Sequence, residues 1–195
     1  MIAAIIPAAG RSIRMGRPKM LLPWGDATVL EQVIQTVHNA GIQDVLVITG
    51  SARDEVEQIA ARCHVRTTYN ENFESEEMLA SIQCGLRAQQ ASTEAVLICL
   101  GDQPQVQEES VRSVCAAFDK NRSSIVVPSY RMRRGHPWLV ARPLWGELLK
   151  LQPPHSPRDF LNAHASGIEY VLLDSPSIIE DLDTPEDYLK FNPPV

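Results

Sequence analysis

Residues 2–19 read Ile2-Ala3-Ala4-Ile5-Ile6-Pro7-Ala8-Ala9-Gly10-Arg11-Ser12-Ile13-Arg14-Met15-Gly16-Arg17-Pro18-Lys19. Residues 2–6 are a short apolar run without alternation, which predicts a first strand covered on both faces. From Ala8 to Ala27 neither the strand nor the helix period appears. Structureless stretches beyond about 12–15 residues are uncommon in compact domains and often functional. This one follows the first strand, where open α/β sheets take ligands beyond the carboxyl ends of their strands.

Working outward, similar apolar runs recur at Val45-Leu46-Val47-Ile48, Val96-Leu97-Ile98-Cys99-Leu100 and Ile125-Val126-Val127, with a late strand expected over 170–173. Helical patterns lie between them. Val29, Leu30, Val33, Ile34 and Val37 share one face. Thr28 and Glu31 have capping-box spacing, and Gly41 is a natural stop. Residues 53–62, 78–90 and 107–120 also predict helices. Ser156-Pro157 and Thr184-Pro185 each pair an N-cap residue with a proline suited to the first helical position. The alternation predicts an α/β fold: a three-layer, mostly parallel, Rossmann-like sheet with helices on both faces.

The chain has 195 residues, 44% hydrophobic and 22% charged, with a formal net charge of -6. These values exclude wholesale disorder, and the length favours a single domain over 1–195. The acidic balance argues against nucleic-acid binding. No apolar run reaches the roughly 20 residues of a membrane span. The first apolar stretch lacks the preceding basic residues of a signal peptide. Cys63, Cys84, Cys99 and Cys115 match no Cys-x-x-Cys pattern, which predicts reduced, structural thiols in the cytoplasm.

Four basic residues, Arg11, Arg14, Arg17 and Lys19, fall within nine positions, and no acid intervenes before Asp26. In an acidic chain this is a local cationic cradle, with glycines that let backbone N–H groups approach phosphate oxygens. The alternative is a solvated basic loop. No Gly-Lys-Ser/Thr follows, and there is no Gly-x-Gly-x-x-Gly, so neither familiar phosphate loop applies. Gly101-Asp102-Gln103-Pro104 closes the 96–100 run. Asp102 could hold a divalent cation there or simply occupy a turn. Asp183, before the Thr184-Pro185 cap, is either a second ligand or an acid favoured by the helix dipole. Arg131, Arg133 and Arg134, with Arg142 beyond, form a second basic cluster suited to another anionic substrate, and His136 within it could donate to phosphate. Asn70, Ser81 and Gln83 flank a strand-to-helix junction and could read a base or ribose. Trp24, Trp138 and Trp145 are expected to pack.

Ala8-Ala9-Gly10-Arg11-Ser12-Ile13-Arg14-Met15-Gly16, with Lys19, resembles the signature loop of nucleotidyltransferases built on a Rossmann-like sheet. The likeness is strongest to molybdenum cofactor cytidylyltransferases. These combine that loop with Leu-Leu-Pro (Leu21-Leu22-Pro23), Gly-Asp-x-Pro (Gly101-Asp102-Gln103-Pro104), Gly-His-Pro (Gly135-His136-Pro137) and a terminal Asp-x-Asp-Thr-Pro-Glu-Asp (181–187). The resemblance implies that Arg11, Arg14 and Lys19 contact the triphosphate. It puts Ala8, Ala9 and Gly10 along the nucleoside and Ser81 near the base or ribose. Asp102 and Asp183 would hold Mg²⁺ (or Mn²⁺), and Arg14, Lys19 and Asp102 would carry catalysis. Residues 1–105 would form the nucleotide part and 128–165 the acceptor side, with Gly135, His136 and Arg158 on the acceptor. Where relatives have Gly before Met-x-x-Ser, this chain has Glu77, close to Glu74 and Glu76. Where they have Gly-x-Arg late in the chain, it has Ser156-Pro157-Arg158.

The activity so implied is cytidylyl transfer from CTP to the terminal phosphate of molybdopterin cofactor, releasing pyrophosphate, with a molybdoenzyme or chaperone as recipient of the product. Guanylyl-transferring relatives read Leu-Ala-Gly-Gly where this chain has Pro7-Ala8-Ala9-Gly10. An alanine methyl would narrow the pocket toward a pyrimidine, with discrimination of only about 10–200-fold. The alternatives are guanylyl transfer to the same acceptor, nucleotidyl transfer to a sugar or polyol phosphate, and a non-catalytic escort that binds nucleotide or cofactor.

Overall fold

In the computed structural model, residues 1–75 and 78–193 are described. The strands are β1 (Ile2–Pro7), β2 (Pro23–Trp24), β3 (Ala27–Thr28), β4 (Val45–Thr49), β5 (Arg66–Tyr69), β6 (Ala95–Ile98), β7 (Ile125–Tyr130), β8 (Arg133–Arg134), β9 (Trp138–Ala141) and β10 (Ile168–Leu172). The helices are α1 (Val29–Asn39), α2 (Arg53–Arg62), α3 (Met78–Arg87), α4 (Glu108–Asn121), α5 (Trp145–Lys150), α6 (Pro157–Ala163) and α7 (Pro185–Phe191). The main sheet runs β10-β7-β9-β6-β1-β4-β5, with β8 paired to β7, while β2 and β3 form a separate small hairpin. All pairings along the path are parallel except those of β9, which is antiparallel to both β6 and β7.

The period of two along β1 assigns its side chains to two cores. Ala4 and Ile6 point into one with α1, α2 and α4, through Leu30, Ile34, Val56, Val114 and Phe118. Ala3 and Ile5 point into the other with α3, α5 and α6, through Ile82, Leu86, Leu148 and Phe160. Val45 and Val47 alternate with Leu46 and Ile48 in the same way. Both faces are therefore covered, which is why these strands read as unbroken apolar runs. Thr28 and Glu31 form the capping box of α1, and Gly41 leaves that helix at φ +102°. Ser156 with Asp159 and Thr184 with Asp187 complete two more boxes.

Several expectations shift. Helix α3 ends at Arg87 rather than at 90. β5 was not expected: it is an edge strand carrying Arg66, Thr67 and Thr68 rather than an apolar run. β9 follows directly on the basic stretch that ends at Pro137, and its antiparallel insertion joins the two halves of the sheet. The stretch from Ala8 to Ala27 holds two single 3-10 turns, Ile13–Met15 and Lys19–Leu21, and most of the β2–β3 hairpin. All four cysteines are free thiols, and burial pushes each above its ordinary pKa. No helix among the described residues is long and apolar enough to cross a membrane.

Helix α3 approaches β1 closely because position 85 has no side chain: a Cβ there would lie 2.7 Å from Ile5 Cγ2. Gly85→Ala gains up to about 1 kcal/mol of helix propensity. It is nevertheless expected to lose a net of about 1–3 kcal/mol in urea unfolding, because Ile5 is fully buried and cannot move aside. Ile5→Ala should cost less in the Gly85→Ala background than alone; strictly additive losses would show that Ile5 is not the obstacle.

Candidate active site

The loop after β1 descends between two glycines on neighbouring strands. A Cβ on Gly50, beyond β4, would lie 2.5 Å from the Ala9 carbonyl oxygen, and one on Gly101, beyond β6, 2.9 Å from the Pro7 carbonyl oxygen. The Ser51 hydroxyl donates to the Gly10 carbonyl at 2.9 Å. Ser12, in the left-handed region at φ 51°, accepts the Lys19 backbone N–H on its hydroxyl at 3.1 Å. Met15 and Met20 bury their side chains. The loop is thus folded back on itself, with Arg11, Arg14 and Lys19 lining the cleft at the strand ends and Arg17 exposed outside it.

Lys19 is the centre of that arrangement. Its ammonium contacts Asp102 Oδ2 and, at 3.2 Å, Asp183 Oδ1, and Arg14 Nη1 reaches Asp183 Oδ2 at 2.8 Å. Burial alone would push the Lys19 pKa down, but the charges and hydrogen bonds of Asp102 and Asp183 outweigh it and raise the value. Asp181 is pushed up by burial and then by the neighbouring Asp102 and Asp183 charges, against a hydrogen bond from Gln103. Asp102 and Asp183 lie 81 positions apart in the chain yet share one ammonium. Two hard carboxylates within reach of a single cation fit a divalent ion that completes its shell with phosphate oxygens and water. Among the described residues no three His, Cys, Asp or Glu side chains form a ready-made metal cage.

Asp183 is carried there by a third, small core. Met15, Leu22, Trp24, Val29, Leu182 and Tyr188 pack together, Trp24 and Tyr188 with ring centroids 6.5 Å apart. The Tyr188 hydroxyl donates to the Pro23 carbonyl at 2.6 Å, and the Leu182 N–H to the Asp102 carbonyl at 3.2 Å. No apolar run in the sequence announced this cluster, because its members come from the aperiodic loop, the first residue of α1, the segment before α7 and α7 itself.

A cleft of about 430 Å³ lies over these groups, lined among others by Ala9, Gly10, Arg11, Arg14, Lys19 and Asp102, and by Asn70, Ser81 and Asp183. Buried Asn70 donates to the Ser81 hydroxyl at 3.2 Å, forming a polar wall. Ala8 does not line the cleft; its side chain belongs to the core, and its N–H donates to the Ile48 carbonyl. Gln83 does not line the cleft: its amide donates to the Leu148 and Leu151 carbonyls and ties α3 to α5.

A second hollow of about 820 Å³ adjoins the first, and Met78 lines both. Arg133, Arg134, Gly135, His136 and Arg158 line it. The Gly135 N–H is already taken by the Pro128 carbonyl, and a Cβ there would lie 2.4 Å from the Ile178 carbonyl oxygen. Close packing therefore accounts for that glycine. Arg142 does not join the cluster: it donates to the Gln90 and Thr93 carbonyls and stacks on Trp145 at 4.4 Å. All three tryptophans are buried. Glu76 and Glu77 lie outside the described residues, and Glu74 is exposed.

Residues 4–168 match the MobA-like NTP transferase domain. The chain belongs to that family. It is a nucleotidyltransferase, and its mixed, mostly parallel sheet is of the Rossmann-like type seen in its relatives. Among family relatives, the molybdenum cofactor cytidylyltransferase of Escherichia coli is 28% identical over 190 residues, covering 96% of this chain and 94% of that one. A Bacillus cytotoxicus protein named "Probable molybdenum cofactor guanylyltransferase" is 26% identical over 126 residues, covering 64% and 61%. The crystal structure of Rv0371c from Mycobacterium tuberculosis superposes with a TM-score of 0.85 at 28% identity, covering 97% of this chain and 96% of that one. Another structure of Rv0371c is a complex with manganese.

Burial pushes the His136 imidazole down to about 4. Between that value and the unfolded value near 6.5, the unfolded chain binds a proton that the native one refuses. The contribution of His136 to stability is therefore complete above pH 6.5 and lost as pH falls toward 4. The loss is of the order of 3 kcal/mol. Urea unfolding at pH 7.5 and 4.5 should show a smaller acid loss in His136→Gln than in the wild type.

Proposed function

We propose that the chain transfers a cytidylyl group from CTP to the terminal phosphate of molybdopterin cofactor and releases pyrophosphate. The observation that carries this reading is Lys19 bridging Asp102 and Asp183 under a loop that also presents Arg11 and Arg14 to the same cleft. A non-catalytic escort has no need of a cationic clamp beside paired carboxylates. The E. coli relative, alike over almost the full length of both chains, supports CTP and this acceptor.

In this reading residues 1–105 hold the nucleotide and 128–165 the acceptor. Arg11, Arg14 and Lys19 bind the triphosphate and stabilise the departing pyrophosphate. Ala9 and Gly10 border the nucleoside, with Ser81 and Asn70 forming the polar wall beside it. Asp102 and Asp183 would hold a divalent cation, Mg²⁺ or Mn²⁺. That ion, when bound, supplies a Lewis acid that neutralises charge at the α-phosphate. The acceptor phosphate has a second pKa of about 6 and is mostly dianionic at pH 7, so no general base is required. Arg158, Arg133 and Arg134 offset the charge of this incoming anion. The shared Met78 wall supports a direct approach from one hollow to the other, and catalysis is then positioning and electrostatics in an in-line displacement.

Lys19 has two partners to choose between. Without nucleotide, its ammonium neutralises Asp102 and Asp183; with a triphosphate present, the phosphates compete for it. Lys19→Met is expected to raise nucleotide-free Mn²⁺ affinity about tenfold by removing a competing cation. The same change should lower CTP turnover, measured as pyrophosphate release. Asp102→Asn should reduce that turnover by at least about 100-fold with little loss of fold. A matrix of CTP, GTP, ATP and UTP against molybdopterin and sugar phosphates tests the substrates. Pyrophosphate release with CTP and molybdopterin is the expected result. Preference for GTP would move the protein to the guanylyl activity named for its Bacillus relative, and CTP binding without pyrophosphate release would favour an escort.

A further inference from the structure

Asp183 is not placed by the neighbouring helix α7 alone. The 180–183 segment is attached side-on to the turn that carries Asp102, and Gln103 and Gln105 supply the attachments. Gln103 is 3% exposed, and its amide Nε2 donates to Asp181 Oδ1 at 2.7 Å. Gln105 Nε2 donates to the Glu180 carbonyl. Between these bonds the Leu182 N–H donates to the Asp102 carbonyl at 3.2 Å. Three consecutive residues, 180–182, are thus pinned to three positions of the 102–105 turn.

Three carboxylates line one cleft here, those of Asp102, Asp181 and Asp183. Left alone, their like charges would drive the late segment away from the turn. A lysine or arginine at 103 would hold Asp181, but it would also add a third cation beside the pair that Lys19 and Arg14 already neutralise. A glutamine amide holds Asp181 by hydrogen bonding and adds no charge. We propose that Gln103, assisted by Gln105, is a positioning residue: it fixes Asp181 so that Asp183 and Asp102 stay convergent without being further neutralised. The proposal rests on the reading of Asp102 and Asp183 as the cation ligands. Partners outside the ligand set commonly change metal affinity 10–100-fold when lost.

The test is Mn²⁺ binding to the nucleotide-free full chain, followed by electron paramagnetic resonance, with pyrophosphate release measured in parallel. Gln103→Leu keeps the bulk and removes the donor. It is expected to weaken Mn²⁺ binding about tenfold or more. Turnover should fall at limiting Mn²⁺ and recover at saturating Mn²⁺, with the CTP KM under saturating metal unchanged. Gln105→Leu should act in the same direction. The reciprocal pair Gln103→Glu with Asp181→Asn reverses the hydrogen bond at constant net charge, and it should recover the Mn²⁺ affinity that Gln103→Glu alone loses. Wild-type affinity in Gln103→Leu, even with a lowered Tm, would reduce Gln103 to packing and overturn the proposal. Should Gln103→Leu fail to fold, a reciprocal pair no better than Gln103→Glu would overturn it equally. Asp102→Asn binding Mn²⁺ as tightly as the wild type would instead overturn the cation-ligand reading itself, before any change at Gln103.

Discussion

One ammonium group, that of Lys19, holds together two carboxylates from distant parts of the chain, and most of the site's construction serves that contact. A carboxylate pair at this spacing repels itself. Lys19 offsets the repulsion, and the two carboxylates in turn raise its pKa against the effect of burial. The backbone turn at Ser12, the buried methionines and the glycines at 50 and 101 all act on the loop that delivers Lys19. Remove the side-chain-free positions and that loop cannot descend between the strands; remove the loop and the carboxylates have no counter-charge.

The sheet supplies the other half of the constraint. Asp102 stands just past β6 because β6 is central and parallel to β1, so both strands release their chains at the same edge. Parallel pairing therefore brings the cationic loop and the acidic turn together without any local sequence signal linking them. The antiparallel β9 then carries the chain back through the sheet, and its approach through Gly135 and His136 sets the second hollow beside the first.

Much of this is legible in the sequence, for a physical reason. Strands covered on both faces must be apolar throughout, so β1, β4, β6 and β7 declare themselves, as do capped helices such as α1 and α7. The edge strand β5 escapes because Arg66, Thr67 and Thr68 meet solvent on one side. The basic loop and Asp102 were visible as residue types, but their contact was not, since a charge pairing across the fold leaves no periodic trace. Gln83 shows the converse error. A polar residue on α3 near a proposed pocket looks like a ligand contact, whereas its amide is consumed by two carbonyls at the end of α5.

The small core of Met15, Leu22, Trp24, Leu182 and Tyr188 has a consequence for biosynthesis. The loop of residues 8–27 is synthesised well before Leu182 and Tyr188, on which its apolar side chains pack. Strands β1, β4 and β6 can begin to associate as they appear, since domains fold largely from the N-terminal side. The cationic loop must wait, loosely held and chemically incomplete, until Leu182 and Tyr188 arrive to seat it. Competence of the site therefore waits on the Leu182–Tyr188 segment rather than accompanying synthesis of the loop itself.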